Sequence, residues 1–214
     1  MRFLLSIGVV FIVYLAYVHS DSCVQCNSSS DPKCATNPEQ FLSKQCANTT
    51  SQCYVRVLDG VTYRGCACDL DNATATNCNN NMECLICGFM EGCNSAVFPQ
   101  HRLSCLQCSG DYNSTCATVI TTKPVVCPTY KLGDKCYIRR DEKNTTTSFQ
   151  RGCLSTARSN GICKDESNCY TCEGAGCNFL EANSTYIPVA RDSALGYGSS
   201  MVVVLMAFLL TRQS

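Results

Sequence analysis

The sequence predicts a small, strand-rich module held by disulfides and present twice in tandem. Three observations predict it. The 214-residue chain has 21 cysteines, all between Cys23 and Cys177, and no tryptophan. Twenty of these cysteines form two blocks of ten: Cys23, Cys26, Cys34, Cys46, Cys53, Cys66, Cys78, Cys84, Cys87 and Cys93, then Cys105, Cys108, Cys116, Cys127, Cys136, Cys153, Cys163, Cys169, Cys172 and Cys177. Matching positions are offset by 81 to 87 residues, and their neighbours match too. Ser22-Cys-Val-Gln-Cys26 repeats as Ser104-Cys-Leu-Gln-Cys108, Cys53-Tyr-Val-Arg56 as Cys136-Tyr-Ile-Arg139, Arg64-Gly-Cys66 as Arg151-Gly-Cys153, and Cys93-Asn94 as Cys177-Asn178. Such self-similarity marks an internal duplication.

The N-terminus opens Met1-Arg2 and continues as an apolar run from Phe3 to Val18. Val18 and Ser20 occupy the −3 and −1 positions of a cleavage site, so residues 1–20 read as a secretory signal peptide. The run is short of the ~20 residues that a membrane span needs. Secretion implies an oxidising compartment, in which thiols pair.

Within each module the segments between cysteines are short and β-like. Tyr54–Leu58 and Val61–Arg64 flank Asp59-Gly60, a pair suited to a type I′ hairpin turn because both central residues need positive φ. In the second module the sequence predicts a longer, polar loop at Asp141–Asn144, between Tyr137–Arg140 and Thr145–Arg151. No stretch predicts an amphipathic helix of three turns. Each module spans about 70 residues. A core of that size supplies about 3–5 kcal/mol. Five bridges at about 2–4 kcal/mol each outweigh it.

The C-terminus carries an apolar run, Met201–Leu210, followed by Thr211-Arg212-Gln213-Ser214. The run is short for a span and long enough for the tail of a GPI signal. Asp192 is the preferred attachment site, with Ser193 next. The competing reading is a short transmembrane helix with Arg212 as its only cytoplasmic charge. The expected organisation is thus signal peptide 1–20, first domain 21–94, linker 95–104, second domain 105–178, stem 179–192 and a removed propeptide 193–214.

Without Arg2 and Arg212, 15 Lys and Arg remain against 17 Asp and Glu, a formal charge of −2. No basic patch suited to nucleic acid is present. Sequons occur at Asn27, Asn48, Asn72, Asn113, Asn144 and Asn183, which predicts a glycosylated surface.

The opening Cys-x-x-Cys, the ten-cysteine order, the Arg-Gly-Cys and the closing Cys-Asn resemble the LU superfamily, the lymphocyte-antigen and urokinase-receptor domains that share the three-finger fold with snake toxins. The resemblance covers Cys23–Asn94 and Cys105–Asn178 and implies two tandem three-finger, LU-type domains, small and all-β. Many members have adjacent eighth and ninth cysteines; here Leu85-Ile86 and Tyr170-Thr171 separate them. The family's pairing, which spacing alone does not choose, implies Cys23–Cys53, Cys26–Cys34, Cys46–Cys66, Cys78–Cys84 and Cys87–Cys93. In the second module it implies Cys105–Cys136, Cys108–Cys116, Cys127–Cys153, Cys163–Cys169 and Cys172–Cys177. Cys68 is then the odd cysteine. The alternative pairs Cys68 with Cys84 and leaves Cys78 over. An odd thiol in a secreted chain points to a free thiol or an intermolecular bridge, hence a dimer through Cys68.

Chemistry finds little support. The Cys-x-x-Cys motifs starting at Cys23, Cys84, Cys105 and Cys169 read as bridge partners rather than zinc or redox motifs. His101, in the linker, is a poor general base, and the acid pairs Asp141-Glu142 and Asp165-Glu166 read as solvated loops. Arg139, Arg140 and Arg151 read as a solvated face of the second central hairpin or as a partner-binding patch. No cofactor, metal site or enzymatic activity is expected. The expected function is protein–protein interaction at the cell surface by a GPI-anchored glycoprotein on the outer leaflet of the plasma membrane, in adhesion, junction organisation or membrane-protein trafficking. The resemblance also implies an alternative, a toxin-like modulator of a receptor or ion channel. The partner expected is another cell-surface or membrane protein, with the lipid anchor as the membrane contact.

Overall fold

The computed structural model describes residues 22–48, 51–78, 81–88, 90–118, 122–143, 145–164, 169–182, 187 and 189–191. The expected signal peptide, the attachment residues Asp192 and Ser193, the acid pair Asp165-Glu166 and the sequons Asn144 and Asn183 lie outside them. Among the described residues no helix is long and apolar enough to cross a membrane. The chain is small, all-β and rich in disulfides. It divides into two compact units, Met1–Ser104 with Val125–Asp134, and Cys105–Pro124 with Lys135–Ser214.

The first unit is built on a hairpin, β4 (Cys53–Leu58) and β5 (Val61–Cys66), paired from Cys53↔Cys66 to Leu58↔Val61. Asp59 and Gly60 form its turn with φ of 51° and 81°, the two positive values that a type I′ turn requires. β2 (Cys26–Asn27) joins the far edge of β5, and β6 (Cys84–Cys87) joins β4, giving a four-stranded antiparallel sheet. β1 (Ser22–Cys23) and β3 (Lys44–Gln45) pair separately. Two short helices, α1 (Lys33–Thr36) and α2 (Asn72–Cys78), fill the connections. Burial alternates along β4: Cys53, Val55 and Val57 point inward, while Tyr54 and Arg56 are half-buried. The period of two follows from the pleat. The bridges are Cys23–Cys53, Cys26–Cys34, Cys46–Cys66, Cys78–Cys84 and Cys87–Cys93. Cys23, Cys46, Cys53 and Cys66 form one buried cluster, so much of this core is sulfur.

Two further short strands follow, β7 (Ser104–Cys105) and, after β8 (Cys108–Asp111), β9 (Val125–Val126). The second unit is centred on β10 (Cys136–Lys143) and β11 (Thr146–Cys153), paired from Cys136↔Cys153 to Lys143↔Thr146. This corrects the expected long loop at Asp141–Asn144: the strands continue, and only residues 144–145 stand between them. The reason is local. Arg139 pairs with Asp141 at 3.1 Å and Arg140 with Glu142 at 2.5 Å, each partner two residues on and therefore on the same face of β10. The opposite strand offers Thr146 and Thr147, residues that favour strands.

β8 extends this sheet beyond β11, and β12 (Tyr170–Cys172) flanks the base of β10. α3 (Leu154–Ser159) covers Tyr137, with Leu154, Ala157, Cys163 and Cys169 buried around it. The bridges are Cys105–Cys136, Cys108–Cys116, Cys163–Cys169 and Cys172–Cys177. Cys153 is also disulfide-bonded, as is Cys127 in the segment grouped with the first unit.

The segment expected as a stem is part of the second unit as far as Arg191. Ala182 and Ile187 are buried with Cys116, Ala117, Ile138 and Phe149, and the Ala182 N–H donates to the Ala117 carbonyl at 3.0 Å. β13 (Val189–Arg191) then runs parallel to β10, with Arg140↔Val189 and Glu142↔Arg191 in register. Ile187 brings apolar surface to bury, and the open edge of β10 supplies backbone partners for β13.

Candidate functional site

The residues repeated between the modules build the same clamp twice. The Asn94 side-chain oxygen accepts from the Val24 N–H at 3.0 Å, and its amide donates to the carbonyls of Val24 and Tyr54, both at 2.9 Å. Asn178 does the same with Leu106 N–H at 3.0 Å, Leu106 carbonyl at 2.9 Å and Tyr137 carbonyl at 3.1 Å. Each Asn thereby ties the first strand, the central hairpin and the last bridge together. Arg64 donates to the carbonyls of Cys34, Asn94 and Ala96. Arg151 donates to those of Cys116 and Asn178, at 2.9 and 2.5 Å. The glycine after each arginine faces a tyrosine across the hairpin. A Cβ at Gly65 would lie 3.0 Å from the Tyr54 ring, and one at Gly152 would lie 3.2 Å from the Tyr137 ring.

Arg151 is therefore no part of a solvated face or a partner patch. It is 3% exposed, and burial lowers its pKa to about 10. Burial does the same to Arg64, to about 10, with the Arg102 charge adding to the effect. Arg139 and Arg140 are neutralised by Asp141 and Glu142 on their own strand, so those acids are strand residues rather than loop residues.

The expected linker 95–104 is packed within the first unit. Arg102 is buried and donates to the carbonyls of Cys127, Phe98 and Pro128 and to the Thr62 hydroxyl, at 2.6 to 2.9 Å. Nothing in the spacing of the cysteines points to this arginine. The same unit pins the tip of its central hairpin: the Tyr130 N–H donates to the Gly60 carbonyl at 2.9 Å. His101 is exposed, with Nε2 3.3 Å from the Tyr130 hydroxyl.

The outer face of the first hairpin is chemically different. Tyr54, Arg56 and Tyr63 are half-buried there, and Leu58 is exposed. Arg56 stands opposite Tyr63 in register, and its guanidinium lies 5.7 Å from the ring centroid. Its Nε is buried without a hydrogen-bond partner among the described residues. Beside it a cleft of about 330 Å³ is lined by Arg56, Leu58, Thr74, Asn77, Asn81 and Glu83. An aromatic–arginine face next to a polar cleft can take both planar stacking and hydrogen-bonding groups from a partner.

Two sulfur clusters, Cys23 with Cys46 and Cys66, and Cys105 with Cys127 and Cys153, are close enough to resemble metal sites. All six sulfurs are in disulfides, which removes the thiolates that a metal needs. Cys68 is free and exposed, in a short 3₁₀ turn, with its Sγ 3.7 Å from the Asp69 carboxylate. Cys78, the alternative odd cysteine, is bonded to Cys84. Of the described sequons, Asn48, Asn72 and Asn113 are exposed. Asn27 is half-buried and accepts from Ser29 through both its N–H and its hydroxyl.

The geometry defines a tandem pair of small all-β, disulfide-rich domains. Residues 21–94 and 103–178 each match DUF753, a domain of unknown function, and the chain belongs to that family with two copies of its domain. No curated protein matches the chain.

Proposed function

We propose that the protein is a non-enzymatic, GPI-anchored surface glycoprotein of the three-finger, LU kind, which binds another cell-surface or membrane protein. The observation that carries this reading is the division of labour among its polar groups. The buried arginines and asparagines are held by backbone carbonyls in duplicated clamps. The outer face of the first hairpin keeps Tyr54, Arg56, Leu58 and Tyr63 accessible. Tyrosine and arginine are the residues that most often dominate protein–protein binding energy. The signal-like N-terminus, the short apolar C-terminal run and three exposed sequons support the glycosylated, anchored surface form. Exposure of Cys68 supports an intermolecular bridge through its thiol.

The toxin-like alternative needs a long free tip on a central finger. In the first unit that tip is the Asp59-Gly60 turn, and the Tyr130 amide holds it. This favours contact through finger faces. The test is binding of labelled ectodomain to cells that bear the partner. Arg56→Ala and Tyr63→Ala are each expected to weaken binding by about tenfold, while the exposed Lys123→Ala leaves it unchanged. Wild-type binding by both variants contradicts the assignment of this face. Release from intact cells by a phosphatidylinositol-specific phospholipase tests the anchor; full retention with Arg212 still present contradicts it.

A further inference from the structure

One row of residues across the first sheet carries an inference about its carbohydrate. Antiparallel partners share a face, and the register sets Asn27 (β2) against Tyr63 (β5), Tyr63 against Arg56 (β4) and Arg56 against Cys84 (β6). Asn27 opens the sequon Asn27-Ser28-Ser29, so a glycan attached there starts on the outer face, one strand from Tyr63. The sequon is held at each residue. The Ser28 N–H donates to the Thr62 carbonyl, and the Ser28 hydroxyl accepts from the Thr62 N–H, both at 2.9 Å. The Asn27 side-chain oxygen accepts from the Ser29 N–H and hydroxyl, both at 2.8 Å. Ser29 thus orients the amide by its oxygen and leaves Nδ2, the atom that takes sugar, as the end it does not hold.

The second module offers an internal comparison. Cys26-Asn27 repeats as Cys108-Ser109, and Tyr63-Arg-Gly-Cys66 as Gln150-Arg-Gly-Cys153. Ser109, Gln150 and Arg139 occupy the same row in the same register. The acceptor asparagine and the aromatic ring are therefore both missing there. The arginine stays, but Arg139 is paired with Asp141. Arg56 makes no ion pair among the described residues and lies 5.7 Å from the Tyr63 ring centroid.

We propose that the first sugar of an Asn27 glycan, an N-acetylhexosamine, lies on the Tyr63 ring with Arg56 donating to its oxygens, and that this packed glycan masks the outer face from the partner. In attachment, Asn27 Nδ2 bonds to the anomeric carbon of the sugar and loses one proton, and the lipid pyrophosphate of the glycan donor leaves. The apolar C–H face of a pyranose suits the negative face of an aromatic ring. A guanidinium without a carboxylate keeps its donors for sugar oxygens. The masking rests on the reading of this face as the partner surface; the packing does not. Chains that lack the Asn27 glycan are then the binding-competent fraction.

The test uses the full chain on intact cells, digested without denaturation by a peptide N-glycosidase and read by glycopeptide mass spectrometry. Release at Asn27 is expected to be at least about threefold slower than at Asn72, which is exposed at the start of α2. Tyr63→Ala should remove most of that difference, and Tyr63→Phe, which keeps the ring, should retain it. An unglycosylated Asn27, equal release at the two sites, or a difference that survives Tyr63→Ala overturns the packing. Ser29→Ala deletes the sequon and tests the masking: binding of labelled protein to partner-bearing cells should rise at least about threefold. No rise, with Arg56→Ala still weakening binding, overturns the masking. If neither variant changes binding, the partner reading of this face fails and the masking with it, while the release rates decide the packing on their own.

Discussion

At the residue scale, the repeated Arg-Gly-Cys and Cys-Asn are explained by what each side chain touches. A guanidinium that bonds two carbonyls from different chain segments cannot be replaced by a point charge. Arg151→Ala removes the bonds to Cys116 and Asn178 and leaves both buried carbonyls without their donor. The expected loss in the second unit is about 3 kcal/mol, from charged hydrogen bonds worth ~1.5–3 kcal/mol each, and Arg151→Lys should recover less than half of it. Chemical denaturation checks this; a loss under about 1 kcal/mol contradicts the clamp. The repetition of Arg64 and Arg151 was legible in the sequence, but their burial was not. A lone arginine beside glycine reads as surface until the asparagine seventy-two residues from Leu106 is seen to close the same site. Arg102 left no signal, because its partners are backbone carbonyls, which a sequence does not display.

At the scale of elements, the first hairpin follows from its turn chemistry and the second does not. Asp59-Gly60 specifies a type I′ turn, and the turn forms. Asp141–Lys143 is polar and reads as loop, yet ion pairing along one strand face and threonines across the ladder make it strand. Gly60 also meets a neighbour: a Cβ there would lie 2.9 Å from both the Thr129 methyl and the Tyr130 carbonyl oxygen, on top of a φ of +81°. Gly60→Ala is therefore expected to cost about 2–4 kcal/mol, the left-handed backbone alone accounting for ~1–2. It should also strip hydrogen-exchange protection from the Tyr130 amide, which bonds to Gly60. Gly133→Ala is the control: φ is +70° there, with nothing within 4 Å of the added methyl, so only the backbone term remains. Equal costs at the two glycines contradict the pinned tip.

For the molecule as a whole, cysteine spacing made the duplication and the all-β class legible, because bridges constrain a small chain more than its core does. What spacing concealed is which segments pack together. Residues 95–104 and 125–134 belong with the first unit, and the chain beyond Asn178 packs into the second through Ala182, Ile187 and β13. Apolar residues near a C-terminus read equally well as a tether. The burial of Ala182 and Ile187 and the pairing of β13 depend on a core and an open strand edge that only the folded sheet provides.

Two complete bridge sets, one per cysteine block, hold the fold and leave Cys68 over. Alkylation of the native secreted protein followed by non-reducing peptide mapping tests it most directly. Ten bridges are expected, each within its own block, with alkylation at Cys68 alone or a Cys68–Cys68 bridge between two chains. A bridge joining the Cys23–Cys93 block to the Cys105–Cys177 block, or an alkylated Cys78, would contradict it.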